Sequence, residues 1–451
     1  MREASRYVFF LLSLIVGYFV YIISDTLTEP MRVTLAIFVI AVILWVTEWI
    51  PLFLTSLLVL FLEAILLTDE RLLGGNSLTL FFEPFFSPII TLFLGGFALS
   101  HAIHKYEIDR MLAYWILKRS KGIPDRMVTF FLLSSAAMSM WISNTATTLL
   151  LMILVLPILK PYGGNPFSKS ILLAITVGST VGGMATPIGT PPNAIAMYTF
   201  MKQGVTQVSF SLWFLLAIPL CLLVLFVARM GLEVFYPTND MTPISLPKQK
   251  PKPKGRVSAV ITSIFLLTVG LWLMTPIQQI PDGVVALVPF ILLYLTKILE
   301  PQDLKHMGWD TLLLVGGGMS LGVAIKESGL AKYILEQLLL MEISPSALVL
   351  SLVILSLVVS TFISNTVATS LIIPLAISFD TNLIVTVTMI VLSSSLALAL
   401  PISSPSNAII FSSGYVRSWD MIKIGGLVSI FGFLILYLMA RFYWPLVIAI
   451  T

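Results

Sequence analysis

The sequence predicts an all-α polytopic membrane protein with about eleven transmembrane helices, two re-entrant helical hairpins and an inverted internal repeat. Three observations predict it. Of the 451 residues, 58% are hydrophobic and only 11% charged, with a mean hydropathy of +1.00, whereas a soluble domain carries about a quarter charged residues. Many apolar runs approach the roughly 20 residues that cross a bilayer as helix. Three motifs also recur in the same order at nearly constant spacing.

Taken in order, Met1-Arg-Glu-Ala-Ser-Arg6 leads into an apolar stretch without a small-residue cleavage site. Residues 1–30 therefore read as an uncleaved first transmembrane helix, spanning near 7–24, rather than a signal peptide. A first repeat, 31–236, contains spans near 31–49, 52–67, 88–104, 169–200 and 209–232. A second, 257–451, contains spans near 257–276, 282–299, 310–326, 382–412 and 421–449. Segments 127–159 and 346–377 are too long for one span and polar at their centres. Each fits a re-entrant hairpin, whose irregular tip needs protein or a water-filled cavity around it.

Residues 237–256 form a basic linker with Lys248, Lys250, Lys252 and Lys254 among prolines. Placing it in the cytoplasm puts most Lys and Arg inside, including Arg2, Arg6, Lys105, Arg110, Lys118, Arg119, Lys121, Arg126, Lys160 and Lys169. Six remain outside: Arg32, Arg71, Lys202, Lys326, Lys332 and Arg441. The N-terminus is then cytoplasmic and the C-terminus outside. The net charge of +4 is explained by this bias, with no nucleic-acid partner required. The single cysteine, Cys221, lies in an apolar run as a packing or lipid-facing residue.

Ile142-Ser-Asn-Thr145 recurs as Ile363-Ser-Asn-Thr366, 221 positions later. Leu94-Gly-Gly-Phe-Ala recurs as Val315-Gly-Gly-Gly-Met at the same offset, and Pro187-Ile-Gly-Thr-Pro-Pro-Asn-Ala194 as Pro401-Ile-Ser-Ser-Pro-Ser-Asn-Ala408 at an offset of 214. Five spans separate each element from its counterpart, and an odd number inverts the second copy. Inverted repeats with broken helices are characteristic of secondary transporters, whose sites lie near the bilayer midplane.

Ser139-Met-Trp-Ile-Ser-Asn-Thr-Ala-Thr-Thr148 places five hydroxyls and one amide at the centre of an apolar hairpin, and Ser360-Thr-Phe-Ile-Ser-Asn-Thr366 repeats the pattern. Such residues cap helix N-termini, whose free N–H groups and dipole suit a carboxylate. Carbonyls freed at the break, with hydroxyl and amide oxygens, suit a hard cation such as sodium. In Thr186-Pro-Ile-Gly-Thr-Pro-Pro-Asn193, three prolines and Gly189 must break the helix, as Pro401 and Pro405 do in the second half.

Other chemistry is not supported. No Walker-type phosphate loop is present, and no histidine lies near the hairpin serines, so no catalytic residue and no enzyme is expected. His101 and His104 read as helix-end residues rather than a metal site. Glu48, Glu63, Asp310 and Lys326 read as interfacial anchors near span ends, with Asp310 or Glu48 open as proton carriers.

Through both Ser-Asn-Thr motifs, the two proline loops, the Gly-Gly pairs and Trp45-Val-Thr-Glu-Trp-Ile-Pro51, the chain resembles the divalent anion/sodium symporter family over nearly its whole length. That resemblance implies a homodimer in the cell inner (plasma) membrane and elevator motion of the hairpins and broken spans. The spans near 31–67 and 257–299 would supply the scaffold and the dimer contact. It implies one sodium site at Ser139, Ser143, Asn144 and the backbone of Gly189, and another at Ser360, Ser364, Asn365 and the backbone of Ser403. It implies substrate carboxylates at Asn144, Thr145, Asn365 and Thr366, with Thr190, Pro191, Ser404 and Pro405 lining the pocket. Sodium would act as coupling ion, with no other cofactor.

Two departures bear on the substrate: Ser406 replaces the family's usual second proline, and Ser403-Ser404 is more polar than its first-half counterpart. No basic side chain replaces a cation in either motif, which favours sodium coupling. The expected function is sodium-driven uptake of a C4-dicarboxylate such as succinate, malate or fumarate. Sodium-independent exchange, or sulfate or citrate transport on the same fold, is the alternative.

Overall fold

The protein is described by a computed structural model covering residues 2–68, 77–205, 208–238, 241–244, 255–339, 344–377 and 382–450. Lys248, Lys250, Lys252, Lys254 and Arg71 lie outside these described residues. Within them the structure is helical, without strands.

The chain opens with α1 (Arg2–Ile23), α2 (Glu29–Thr47), α3 (Leu52–Leu66) and α4 (Ser77–Phe82), followed by α5 (Pro88–Lys105) and α6 (Ile108–Arg119). Trp45-Val-Thr-Glu-Trp-Ile-Pro51 forms the corner between α2 and α3. Glu48 ends α2 in the left-handed region at φ 50°, and the Trp45 indole N–H donates across the corner to the Leu52 carbonyl at 3.2 Å. Glu48 is exposed there.

The segment 127–159 is realised as α7 (Pro124–Ser139) and α8 (Asn144–Leu159), with a non-helical break between them. The 169–200 segment becomes α9 (Pro166–Gly183) and α10 (Pro191–Lys202), then α11 (Phe210–Phe235). Prolines stand at the first helical positions of α7, α9 and α10, where the missing N–H costs nothing. The Asn165 side chain caps α9 by accepting from the Phe167 N–H at 2.7 Å. From Ser170 onward α9 is buried on every side, and Gly178, Ser179, Gly182 and Gly183 let neighbouring helices approach closely.

The second half runs through α12 (Gly255–Leu273), α13 (Thr275–Gln278), α14 (Asp282–Val285), α15 (Leu287–Leu295), α16 (Trp309–Glu327) and α17 (Leu330–Leu339). The second hairpin comprises α18 (Pro345–Phe362) and α19 (Asn365–Ala376). The second broken span comprises α20 (Leu383–Ser395) and α21 (Pro405–Ser412), and the chain ends with α22 (Ser418–Leu438) and α23 (Trp444–Ile450). Among the described residues, seven helices are long and apolar enough to cross a bilayer, and five more apolar helices have 10–17 residues. The proline loops divide the 169–200 and 382–412 spans into shorter helices, while two of the seven long helices, α8 and α18, are hairpin arms.

The residues group into two compact units. One comprises Met1–Ile90, Ala194–Val205 and Gly308–Ser394; the other comprises Thr91–Asn193, Thr206–Met307 and Ser395–Thr451. In the first unit, α3 packs on α16 at a glycine: a Cβ on Gly317 would stand 2.2 Å from the Ser56 Cβ. Glu63 lies on this same face and is fully buried, which corrects its reading as an interfacial anchor. The span end near 67 is not a lipid–water boundary for that side chain, because α16 covers it.

In the second unit, Phe210 stacks between Trp141 at 6.1 Å and Trp272 at 4.9 Å. Cys221 is buried, settling it as a packing residue. His101 and His104 take different partners, Asp303 at 3.0 Å and Asp109 at 2.7 Å. Burial raises the Asp303 carboxyl, but the Glu300 N–H, Lys105 and His101 outweigh it and hold the carboxyl well below its usual range.

Candidate functional site

The first Ser-Asn-Thr motif begins α8. Ser143 takes an extended conformation (φ −55°, ψ 145°) and its hydroxyl accepts from the Ala146 N–H at 3.3 Å. Ser139, at the end of α7 and fully buried, donates its hydroxyl to Asn144 Oδ1 at 2.6 Å. The two half-helices are thus tied across their break by one side-chain bond. A Cβ on Gly183 would lie 2.2 Å from Asn144 Oδ1, so only glycine admits the Asn144 amide against α9. Deeper in α8, Thr148 bonds Ser179 of α9 at 2.7 Å.

The second motif, in the other unit, repeats these features. Ser364 has φ −56° and ψ 135° at the start of α19, and Ser360 donates to Asn365 Oδ1 at 2.7 Å. Thr369, the counterpart of Thr148, bonds Ser394 at 2.9 Å. The copies also differ. The Ser360 hydroxyl has a second acceptor, the Ser394 carbonyl at 2.8 Å, and the Ser364 side chain makes no capping bond. Both helices nevertheless start with free N–H groups beside half-buried Asn144 and Asn365, the arrangement that receives an anion.

Two asparagines organise the proline loops. Asn193 Nδ2 donates to the carbonyls of Gly183, Met184 and Thr186 at 3.1, 3.4 and 2.7 Å. Asn407 Nδ2 donates to the carbonyls of Leu398 and Leu400 at 3.1 and 2.9 Å, and to Ser403 Oγ at 3.0 Å. Residues 398 and 400 stand 214 positions after 184 and 186, so the loops share one clamp at matching carbonyls. Thr186 Oγ1 donates to the Met140 carbonyl at 2.6 Å, tying the first loop to the hairpin break.

The unit holding Ser139, Ser143 and Asn144 also holds Gly189, Thr190, Pro191, Ser403, Ser404 and Pro405. Of these, Ser139, Gly189, Thr190 and Ser403 are buried, while Ser143 and Pro405 are exposed. The other unit holds Ser360, Ser364, Asn365 and Thr366. Within the first group a direct bond joins Ser139 to Asn144, and Gly183 brings α9 against Asn144. Ser403 is bound within its own loop, donating to the Leu400 carbonyl at 2.8 Å.

The residues missed in sequence are Gly183 and the clamping roles of Asn193 and Asn407. The asparagines were visible as repeated letters, but their bonds run to carbonyls that only the folded loop exposes. Gly183 lies outside the recurring motifs, so no pattern marked it. Among the described residues no group of three or more His, Cys, Asp or Glu gathers as a metal site; the oxygen donors here are hydroxyls, amides and carbonyls, which suit an alkali cation.

A family model described as the sodium:sulfate symporter transmembrane region matches residues 3–450. The chain is 28% identical to a sodium-dependent dicarboxylate transporter, SdcS, of Staphylococcus saprophyticus, covering 98% of this chain and 92% of the relative. The SdcS of Staphylococcus aureus strain USA300 matches at 28% identity with the same coverages. Among solved structures, the Alcanivorax borkumensis YdaH transporter aligns with a TM-score of 0.58 at 14% identity, over 88% of this chain and 98% of that one. This last likeness concerns the fold alone.

Proposed function

The chain belongs to the sodium:sulfate symporter family, and we propose that it couples inward sodium movement to uptake of a C4-dicarboxylate. The observation that carries this reading is the repeated half-helix start. Ser139–Asn144 and Ser360–Asn365 present the same hydroxyl–amide pair beside free helix N–H groups, with no Lys or Arg in either motif. An anion held without a fixed positive charge needs co-bound cations to offset it. The names of the relatives supply sodium and dicarboxylate as the corresponding chemistry.

In this proposal Ser139, Ser143, Asn144 and the Gly189 backbone hold one sodium, and Ser360, Ser364 and Asn365 hold a second, with the Ser403 backbone assigned to it by family resemblance. Carboxylate contacts fall to Asn144, Thr145, Thr190, Pro191, Ser404 and Pro405 in one unit, and to Asn365 and Thr366 in the other. The halves 31–236 and 257–451 act as inverted repeats, working by elevator motion in a homodimer of the plasma membrane, its N-terminus in the cytoplasm. Family resemblance supports the motion and the dimer, and the distribution of Lys and Arg supports the orientation.

The test is uptake of labelled succinate into liposomes under an inward sodium gradient, with a potassium control and unlabelled sulfate or citrate as competitors. Sodium-dependent accumulation against the succinate gradient is expected. Flux that needs internal dicarboxylate and ignores sodium would replace symport with exchange. Absence of succinate flux, with labelled sulfate or citrate accumulating instead, would move the substrate.

A further inference from the structure

Glu63 is a buried carboxyl that the transport reading does not use. It sits on α3, fully buried, with Ser320 of α16 hydrogen-bonded to its Oε2. Its other oxygen, Oε1, has no hydrogen-bond partner. Ser320 Oγ also lies 3.1 Å from the Phe81 carbonyl, in the last turn of α4, where helical carbonyls lack intrahelical donors. All three residues belong to the same unit and are fully buried.

The charged groups on the surrounding helices are committed elsewhere or distant along them. On α2, Glu29 and Arg32 pair with each other at its first turn, and Glu48 is exposed at its far end. On α16, Asp310 lies in the first turn and Lys326 in the last, beside Glu327. α4 carries no titratable residue, and Glu83 just beyond it pairs with Lys202. Among the described residues none of these forms an ion pair with Glu63.

Counting protons decides between the two states of this group. With Glu63 ionised, a single hydroxyl hydrogen, that of Ser320, must serve both the carboxylate and the Phe81 carbonyl. The negative charge would then be sealed between helices without a counter-ion, which is strongly unfavourable. With one added proton, Glu63 Oε2–H donates to Ser320 Oγ, and the Ser320 hydroxyl donates to Phe81. Every donor is then used, and only the carboxyl Oε1 remains unpaired.

We propose that Glu63, Ser320 and the Phe81 carbonyl form a proton-binding site in which Glu63 is a neutral acid and the relay ties α3, α16 and α4 together. The site is not part of the repeated machinery. The residue 221 positions before Ser320 is the buried Leu99, and the one 221 positions after Glu63 is Val284, so the other copy lacks both polar groups. Removing the proton places an unpartnered charge between α3 and α16, which loosens their contact at Gly317.

The test is infrared spectroscopy of the purified full-length protein at neutral pH, compared with Glu63→Gln and Ser320→Ala. A protonated-carboxyl absorption present in the wild type, lost in Glu63→Gln and shifted in Ser320→Ala, is expected. If the wild type shows no such absorption, Glu63 is ionised and the site holds a cation or nothing, which overturns the proposal. Should Glu63→Gln not fold, an unshifted band in Ser320→Ala overturns it equally. The infrared result does not depend on which anion is carried, so it can fail or succeed independently of the transport reading.

Discussion

The two proline loops of one unit, residues 184–190 and 398–404, share an asparagine clamp but surround it with different chemistry. The first is stiffened by composition: Pro187, Pro191 and Pro192 restrict its backbone, every residue from Met184 to Thr190 is buried, and Gly189 donates its N–H to Thr186 at 3.2 Å. The second has only Pro401 and Pro405 and substitutes serine hydroxyls. Ser403 Oγ bridges the Leu400 carbonyl and Asn407 Nδ2, and Ser404 Oγ accepts from the Asn407 N–H at 3.2 Å. Proline acts largely by limiting the unfolded chain, whereas serine bonds exist only in the folded loop and exchange readily with water. The shared features are the asparagine clamp and the Gly189 turn bond, repeated by the Ser403 N–H to Leu400 at 3.2 Å; the side chains around them are what differ.

The sharpest way to break this comparison is to remove each clamp. Asn193→Ala withdraws a donor from three buried carbonyls; Thr186 keeps the Gly189 N–H and Met184 the Trp213 indole N–H, so that of Gly183 is orphaned. Asn407→Ala orphans the Leu398 carbonyl and the hydroxyl of Thr176, bonded to Asn407 Oδ1 at 2.6 Å, while Leu400 and Ser403 keep each other. At about 1–3 kcal/mol for each orphaned buried group, both variants should lose stability, Asn407→Ala about twice as much as Asn193→Ala, and both should lose most sodium-driven uptake. Thermal unfolding in detergent, read beside liposome uptake, checks this. A stable and active Asn193→Ala would mean that prolines alone set the first loop and that the clamp is shared in geometry only.

A smaller but more local effect is expected at Gly183. Alanine there forces its Cβ into Asn144 Oδ1, and misplacing a binding group by about an ångström can lower transport about a hundredfold, by analogy with catalytic positioning. The double variant Gly183→Ala/Asn144→Ala separates causes. If the clash is with the Asn144 amide, adding Asn144→Ala relieves the stability loss; if the two losses simply add, the glycine serves some other contact. Ser403→Ala ranks below both: it removes two hydrogen bonds whose partners keep others, about 1 kcal/mol each at most. It should lower the unfolding midpoint slightly without abolishing uptake.

These residues also show how far sequence carries. The breaks at 140–143 and 184–190 were legible because proline and clustered Ser-Asn-Thr cannot continue an apolar helix, and the repeat marked their counterparts. Residue 183 was not legible: its requirement for glycine comes from Asn144, about forty positions away in the chain, and close approach between helices leaves no local signature. Glu63 was misread for a related reason. Its distance along the chain from the end of an apolar run suggested a boundary, but burial depends on which helix covers that face, and α16 is about 250 residues downstream. Periodicity and composition report local solvent preference, while the partner of a side chain is a tertiary fact.

Ser406 offers the finest test of the loop comparison, because it stands where the first loop has Pro192. Its hydroxyl is buried without a hydrogen-bond partner, and as the second residue of α21 its N–H has no intrahelical acceptor. Proline at that position therefore removes no described bond, and Pro191-Pro192 shows that the same chain accepts the paired ring geometry at the start of α10. Ser406→Pro should raise stability by about 0.4–1 kcal/mol and recover most of the loss in a Ser403→Ala background, since proline would then replace the stiffening that the serine supplied. Unfolding midpoints of the two single variants and the double decide it. If Ser406→Pro destabilises, the backbone of α21 departs from that of α10 at its second residue, and the equivalence drawn from the two asparagine clamps does not extend to the helices that follow them.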